Sequence, residues 1–89
     1  MTYVVKVPFE VSSRLAESDP DVRSISRLPG FVRLELIDPF NCRYELTLEV
    51  EAGSTRDAMD AAEELVLDYE NALAGYRPRL LAGLTPELR

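Results

Sequence analysis

Regularly spaced carboxylates in the middle of the chain are the residues whose type and spacing could support chemistry. Glu45, Glu49 and Glu51 alternate with other residues, and Glu35 precedes them in a similar pattern. Carboxylates that share one strand face could bind a divalent cation or act as a general acid and base. Solvent-exposed carboxylates keep ordinary pKa values and are poor acids at neutral pH. We therefore interpret this set as the solvated face of a sheet.

A second group of carboxylates follows at helical spacing and could contact a basic partner or imitate a nucleic-acid backbone. Its members are Asp57, Asp60, Glu63, Glu64, Asp68 and Glu70. Ordinary surface helices carry the same pattern on the side that faces water, so we interpret this group as a solvated helix face.

The absence of certain residue types excludes several classes of enzyme and cofactor. The chain of 89 residues contains no histidine, and Cys42 is its single cysteine. Ser-His-Asp and Cys-His catalysis, zinc sites and a stabilising disulfide all need residues that are missing. The four glycines are isolated, so neither a dinucleotide-binding motif nor a P-loop is present. We expect no cofactor, no metal and an inert, partly buried Cys42.

Charge and hydropathy limit the possible partners and the compartment. The chain has 16 acidic and 10 basic residues, a net charge of -6, and its basic residues are scattered. Because phosphate binding needs a basic face, we expect no nucleic-acid partner. No segment approaches the ~18 apolar residues of a membrane span, and the N-terminus lacks the pattern of a signal peptide. The sequence predicts a cytoplasmic protein with no membrane partner.

Alternating apolar residues predict the first strand over residues 3–11. The residues that share its apolar face are Tyr3, Val5, Val7, Phe9 and Val11. Pro8 lies within this strand and has no N–H to donate to a neighbouring strand. We therefore expect the pairing to weaken or bulge near Pro8, or this end of the strand to lie at a sheet edge.

Two further strands, 31–38 and 42–52, are predicted to form a hairpin. Asp38 is placed opposite Cys42 around a three-residue loop, with Asn41 in its left-handed position. The expected pairs are Leu36 with Tyr44, Leu34 with Leu46 and Val32 with Leu48. A five-residue loop keeps the same faces buried and remains an alternative.

Capping residues and apolar spacing predict two helices. The first is short, covers residues 20–28, and starts at Pro20 after Ser18 or Asp19 as N-cap. The second covers residues 55–74, with Ser54 as N-cap. Gly75 fits the position just after the end of the second helix.

The order of elements predicts the fold class. Residues 76–81 are expected to form a last edge strand, which gives the order β-α-β-β-α-β. This is the ferredoxin-like split βαβ pattern, an α+β fold with a four-stranded antiparallel sheet and two helices on one face. The expected strand order is 4-1-3-2, which makes the first strand central and places the second and fourth strands at the edges. A three-stranded α+β sheet is the alternative. Residues 1–81 form the single domain in this prediction, and residues 82–89 form a tail that can make one helical turn.

Apolar residues near the C-terminus are the best candidates for an interaction site. The candidates are Leu80, Leu81, Leu84 and Leu88, together with Phe40 at the hairpin tip. An edge strand with an apolar extension is a natural site for pairing with another chain. The alternative is that the leucines cover the open end of the protein's own core.

Residues 43–66 form a strand-then-helix unit that is common in small α+β proteins. The unit is also similar to the strand-helix part of the small accessory subunit of formylglycinamidine ribonucleotide synthase. An Asn-Pro stretch follows the second helix in that family, whereas residues 73–78 here read Leu-Ala-Gly-Tyr-Arg-Pro. No residue role is carried over from that family.

Three functions are compatible with these observations. The first is a small non-catalytic interaction module, which acts as a homo-oligomer or as an accessory subunit of a larger assembly. The second is a small-molecule-binding regulatory or carrier domain. The third is a small histidine-free enzyme with its site at a dimer seam, built from tyrosine, arginine and carboxylates.

Overall fold

The computed structural model describes residues 1–89 as an α+β fold with a five-stranded antiparallel sheet and two α-helices. The strands are β1 (Thr2–Glu10), β2 (Phe31–Asp38), β3 (Arg43–Glu51), β4 (Arg79–Leu80) and β5 (Thr85–Leu88). The helices are α1 (Pro20–Ser24) and α2 (Thr55–Ala72), and short 3-10 turns cover Ile25–Arg27 and Ala74–Tyr76. The expected α+β class is confirmed. The sheet has five strands and not the expected four, because the C-terminal segment pairs with β1 in two separate pieces, and the three-stranded alternative is wrong.

Strand β1 lies in the middle of the sheet and supplies much of the core. It pairs with β3 along its whole length and with β4 and β5 on its other side. Its five predicted apolar positions are all buried, which confirms the alternating pattern. The largest side chains with essentially no solvent-exposed area are Val5 and Val7 of β1 and Leu48 of β3. The core therefore lies on the face of the sheet that packs against α2.

The C-terminal segment pairs with β1 in two pieces, and Pro8 lies opposite the interruption. Leu80 is opposite Phe9, whereas Thr85 is opposite Lys6, so residues 82–84 bulge away from the ladder. The Leu81 N–H donates to the Pro8 carbonyl oxygen at 3.0 Å. A residue in a strand turns its N–H and C=O to the same side, so the donor that Pro8 lacks faces this break. The expected weak pairing near Pro8 is confirmed.

One expectation for the C-terminal segment is met only in part, and another is wrong. The predicted last strand at 76–81 is limited to Arg79–Leu80. Residues 85–88 form strand β5 and not a helical turn. The free side of the central strand β1 offers these residues a ladder of hydrogen-bonding groups, and that tertiary pairing overrides the local turn signal of Thr85-Pro86.

The β2–β3 hairpin has the predicted cross-strand pairs in its middle, whereas its two ends pair differently from the prediction. The pairs of Leu34 with Leu46 and Leu36 with Tyr44 are confirmed. The other two predicted pairs are wrong, because Phe31 lies opposite Leu48 and Asp38 lies opposite Arg43. Bulges at Val32 and Ile37 cause both shifts. The left-handed residue of the turn is Cys42, with φ of 51°, and not Asn41.

Helix starts agree with the sequence and helix ends do not. The Asp19 side chain accepts from the Asp21 N–H before α1, and the Ser54 hydroxyl accepts from the Asp57 N–H before α2. Helix α1 has only five residues before it tightens into the 3-10 turn. Helix α2 ends at Ala72 with Leu73 as its C-cap, and Gly75 lies inside the 3-10 turn that follows. The left-handed residue, with φ of 51°, is Arg77, which ends that 3-10 turn.

Candidate interaction edges of the sheet

Five carboxylates of the open sheet face are ion-paired with basic neighbours, whereas Glu87 of β5 makes no ion pair. The pairs are Glu35 with Arg33, Glu45 with Lys6, Glu49 with Arg89, Glu51 with the N-terminal amine, and Glu10 with both Arg43 and Arg79. The hydrogen bond from Arg79, with the nearby charge of Arg43, lowers the pKa of Glu10. No group of three or more His, Cys, Asp or Glu side chains is placed to bind a metal. The geometry of this face is that of a neutralised charge network.

Thr47 is the exception on this face, because it is buried. Only 2% of Thr47 is exposed, between its cross-strand neighbours Lys6 and Arg33, and its hydroxyl has no hydrogen-bond partner. The alternation of residues 42–52 predicts a solvated Thr47 on the same face as Glu45 and Glu49, and this prediction is wrong. Long basic side chains on both neighbouring strands cover it.

Three tyrosine hydroxyls hold loops in place. The Tyr44 hydroxyl accepts from the Leu15 N–H at 3.0 Å, and the Tyr76 hydroxyl donates to Asp19 at 2.6 Å. The Tyr69 hydroxyl donates to the Pro29 carbonyl oxygen at 2.9 Å, and burial, helped by the charge of Asp68, raises its pKa to about 12. The hydrogen bond to Asp19 raises the pKa of Tyr76 and lowers that of Asp19. These hydroxyls are used within the fold.

One apolar cavity lies between the sheet and α2. Its volume is about 20 Å³, and Phe9, Leu46, Val66 and Leu73 contribute to its walls. Pockets for drug-sized ligands have volumes of roughly 300–1,000 Å³, so this space is a packing gap of about one water molecule. It gives no support to a small-molecule site inside the core.

The predicted interaction residues do not form one surface. Leu84 packs against the core, while Leu80, Leu81 and Leu88 are 42%, 37% and 60% exposed. Leu80 lies opposite Phe9 and Leu88 opposite Tyr3, so about 20 Å of strand separates them. Phe40 is 95% exposed at the far hairpin, and β3 and β1 lie between it and β4.

The C-terminal edge offers few backbone groups to another strand. The Arg89 N–H donates to the Thr2 carbonyl oxygen, so Thr85 and Glu87 also turn their backbone groups towards β1. By the same alternation, Pro86 and Leu88 turn theirs outward. Pro86 has no N–H, and the edge is already broken at residues 82–84. This edge is poorly suited to pairing with another chain.

The opposite edge, β2, has a continuous free segment between its two bulges. The Glu49 N–H donates to the Gly30 carbonyl oxygen. The odd-numbered residues of β3 therefore direct their backbone N–H and C=O groups towards β2. Arg33 and Glu35 therefore bond to β3, whereas Leu34 and Leu36 turn their N–H and C=O groups outward, where no further strand lies.

Exposed apolar side chains flank this free segment. Val32 and Ile37 occupy the two bulges and are 44% and 57% exposed. The predicted strand order places β2 at an edge of the sheet, but β2 was not among the candidate interaction sites that the sequence indicated. The sequence did contain a feature that favours a pairing edge, because residues 31–38 of β2 include neither proline nor glycine.

Comparison with known proteins finds no family model, no curated protein and no solved structure that matches this chain. None of the helices combines the length and apolar character that crossing a membrane requires.

Proposed function

We propose that this protein is a small non-catalytic interaction module of the cytoplasm, acting as a homo-oligomer or as an accessory subunit of a larger assembly. The observation that carries the proposal is the free edge of β2, where Leu34 and Leu36 present unpaired backbone donors and acceptors. Addition of a strand to such an edge supplies main-chain hydrogen bonds, and neighbouring side chains supply specificity.

The fold assignment belongs to the same proposal. We infer a ferredoxin-like arrangement in which β4 and β5 together act as one interrupted fourth strand beside β1. The sheet order β2-β3-β1-β4 supports this, with β5 continuing along β1 beyond the break. In such a sheet β2 is a true end strand, which is what leaves its outer side available.

Two matched variants test the proposed edge. Ile37 and Leu88 are exposed to 57% and 60% and lie on opposite edges of the sheet. Lysine on an edge strand discourages pairing. We expect Ile37→Lys to lose association with itself or with another polypeptide, and Leu88→Lys to retain it. The measurement is native mass spectrometry of the full chain, purified gently from its host and also alone.

Other outcomes would contradict the proposal in different ways. Loss of association in Leu88→Lys alone would place the contact at the C-terminal edge. A bare monomer for the unmodified chain in both preparations would overturn the interaction function itself. Circular dichroism of both variants separates loss of association from loss of folding.

A further inference from the structure

The free edge of β2 carries two opposite charges that make it complementary to itself. Arg33 and Glu35 are two residues apart, share the open face of the sheet and form an ion pair within the strand. Leu34 between them has its backbone N–H and C=O directed outward. We propose that the partner at this edge is a second copy of the chain, paired antiparallel through β2 with Leu34 on the two-fold axis. This inference rests on the proposed function.

The backbone geometry places the charges in direct contact across the dimer. With Leu34 opposite Leu34, the two leucines exchange both of their backbone hydrogen bonds. Arg33 then lies opposite Glu35 of the second copy, and the same pair occurs again on the other side of the axis. Arg33 and Glu35 of the second copy form a non-hydrogen-bonded pair, because their backbone groups point away from each other. In antiparallel sheets the side chains of such pairs are closer together than those of hydrogen-bonded pairs.

The neighbouring register is disfavoured by the same charges. With Glu35 on the axis, two Glu35 carboxylates would lie directly opposite each other, which is destabilising in a sheet. The register with Leu34 on the axis replaces this repulsion by two attractive pairs. It also brings Val32, which is 44% exposed, opposite Leu36 of the second copy and so covers apolar surface.

Nothing equivalent exists at the other edge of the sheet. Arg79 and Arg89 pair with Glu10 and Glu49 on neighbouring strands, so the C-terminal edge has no arginine and glutamate two residues apart on one strand that pair with each other, as Arg33 and Glu35 of β2 do. Pro86 also removes an outward donor there. An isologous contact, in which both copies use the same patch, is the commonest arrangement of soluble homodimers. The β2 edge meets its requirement of self-complementarity.

Charge exchange tests the dimer directly. Arg33→Glu places two acidic residues on the β2 edge of each copy, and Glu35→Arg places two basic residues there. We expect each variant alone to dimerise with a dissociation constant raised at least about tenfold, and an equimolar mixture of the two to form heterodimers with restored affinity. The measurements are sedimentation equilibrium and native mass spectrometry, which resolves the heterodimer by mass.

Matched controls separate this contact from general charge effects. Arg56→Glu on α2 and Glu87→Arg on β5 make the same charge changes at exposed positions away from β2. We expect both controls to dimerise like the unmodified chain. Unfolding curves at low protein concentration check that all four variants fold.

The possible results distinguish this inference from the proposed function. A dimer unaffected by both β2 variants, or a mixture without heterodimers, overturns the β2 contact and leaves self-association through another surface. A monomeric purified chain overturns the homodimer. Co-purification of a different polypeptide that Ile37→Lys abolishes would still support an interaction module at this edge.

Cysteine cross-linking tests the register. In a Cys42→Ser background, a mixture of Arg33→Cys and Glu35→Cys chains should form a disulfide-linked heterodimer, and Glu35→Cys alone should not. Efficient cross-linking of Glu35→Cys with itself would place Glu35 on the axis and overturn the stated register.

Discussion

The two edges of the sheet differ in the continuity of their strands and in the backbone groups that they present. At the C-terminal edge, β4 and β5 have two and four residues, are separated by a bulge, and turn Pro86 outward. At the other edge, β2 has eight residues and leaves the Leu34 and Leu36 backbone groups free. Both edges carry exposed apolar side chains, so apolar exposure alone does not identify an interaction edge.

The difference shows that strand geometry decides which apolar surface is usable. Proline, short strands and interruptions are common means of protecting a sheet edge against pairing. The C-terminal edge combines all three. The β2 edge has only its two bulges, at Val32 and Ile37, and they flank the free segment without interrupting it.

Gly30→Ala should have the largest effect on the free energy of unfolding, because Gly30 lies where β2 begins. Gly30 has φ of 80°, and an added Cβ would lie 3.0 Å from the Glu49 carbonyl oxygen and 2.9 Å from Leu65 Cδ1. Backbone strain and crowding together should lower the free energy of unfolding by about 3 kcal/mol. Chemical denaturation measures the change.

Gly83→Ala is the matched control at the interruption of the other edge. Gly83 has no atom within 4 Å of an added Cβ. We expect no loss of stability, or a gain of up to about 1 kcal/mol from the less flexible unfolded chain. Equal destabilisation by the two variants would contradict the difference in packing between the start of β2, where an added Cβ is crowded, and residues 82–84, where it is not.

Deletion of residues 85–89 should have the next largest effect. The deletion removes β5 and the hydrogen bond from the Arg89 N–H to Thr2, so the free energy of unfolding should fall by about 2 kcal/mol after the entropy of the freed residues is counted. Because β2 is untouched, the dimer dissociation constant should change less than about threefold. Denaturation and sedimentation equilibrium measure the two quantities. A folded deletion variant that no longer associates would assign the contact to the C-terminal segment, as the sequence suggested.

Tyr69→Phe should have the smallest effect, and one that depends on pH. The Tyr69 hydroxyl donates to Pro29 just before β2, so its loss should cost about 1 kcal/mol at neutral pH. The pKa of Tyr69 is raised from 10.0 to about 12, so the folded state favours the protonated hydroxyl. This stabilisation is complete below pH 10 and is lost as the pH rises towards 12.

Thermal melts between pH 7 and pH 12 measure this dependence. The difference in stability between the unmodified chain and Tyr69→Phe should shrink above pH 10. Tyr3→Phe is the control. Tyr3 is a buried residue of the central strand β1 that lies opposite Leu88 of β5, and its hydroxyl makes no hydrogen bond within the chain. A constant difference up to pH 12 would contradict the role of the buried hydroxyl.

Local patterns predicted much of the core and the starts of both helices. Alternation in residues 3–11 placed Val5 and Val7 correctly, and Ser54 identified the start of α2. Bulges were not predictable, since Val32 and Phe31 are both apolar and either could face the core. Gly75 was wrongly expected to follow the end of α2, because α2 ends at Ala72 without a left-handed residue and continues into a 3-10 turn. The left-handed residue after that turn is Arg77, a type with no preference for this conformation.

The amino-acid sequence by itself determined the apolar buried positions of β1 and β3, because side-chain alternation is a property of neighbouring residues. The burial of Thr47 and the exposure of Val32 were decided by the tertiary structure. The predicted strand order already placed β2 at an edge, but only the tertiary structure decided which edge keeps a continuous segment of free backbone groups. That depends on hydrogen bonds between residues far apart in the chain, such as Arg89 with Thr2 and Glu49 with Gly30. The leucines visible near the C-terminus therefore drew attention to one edge, while the strand pairing left the other edge open.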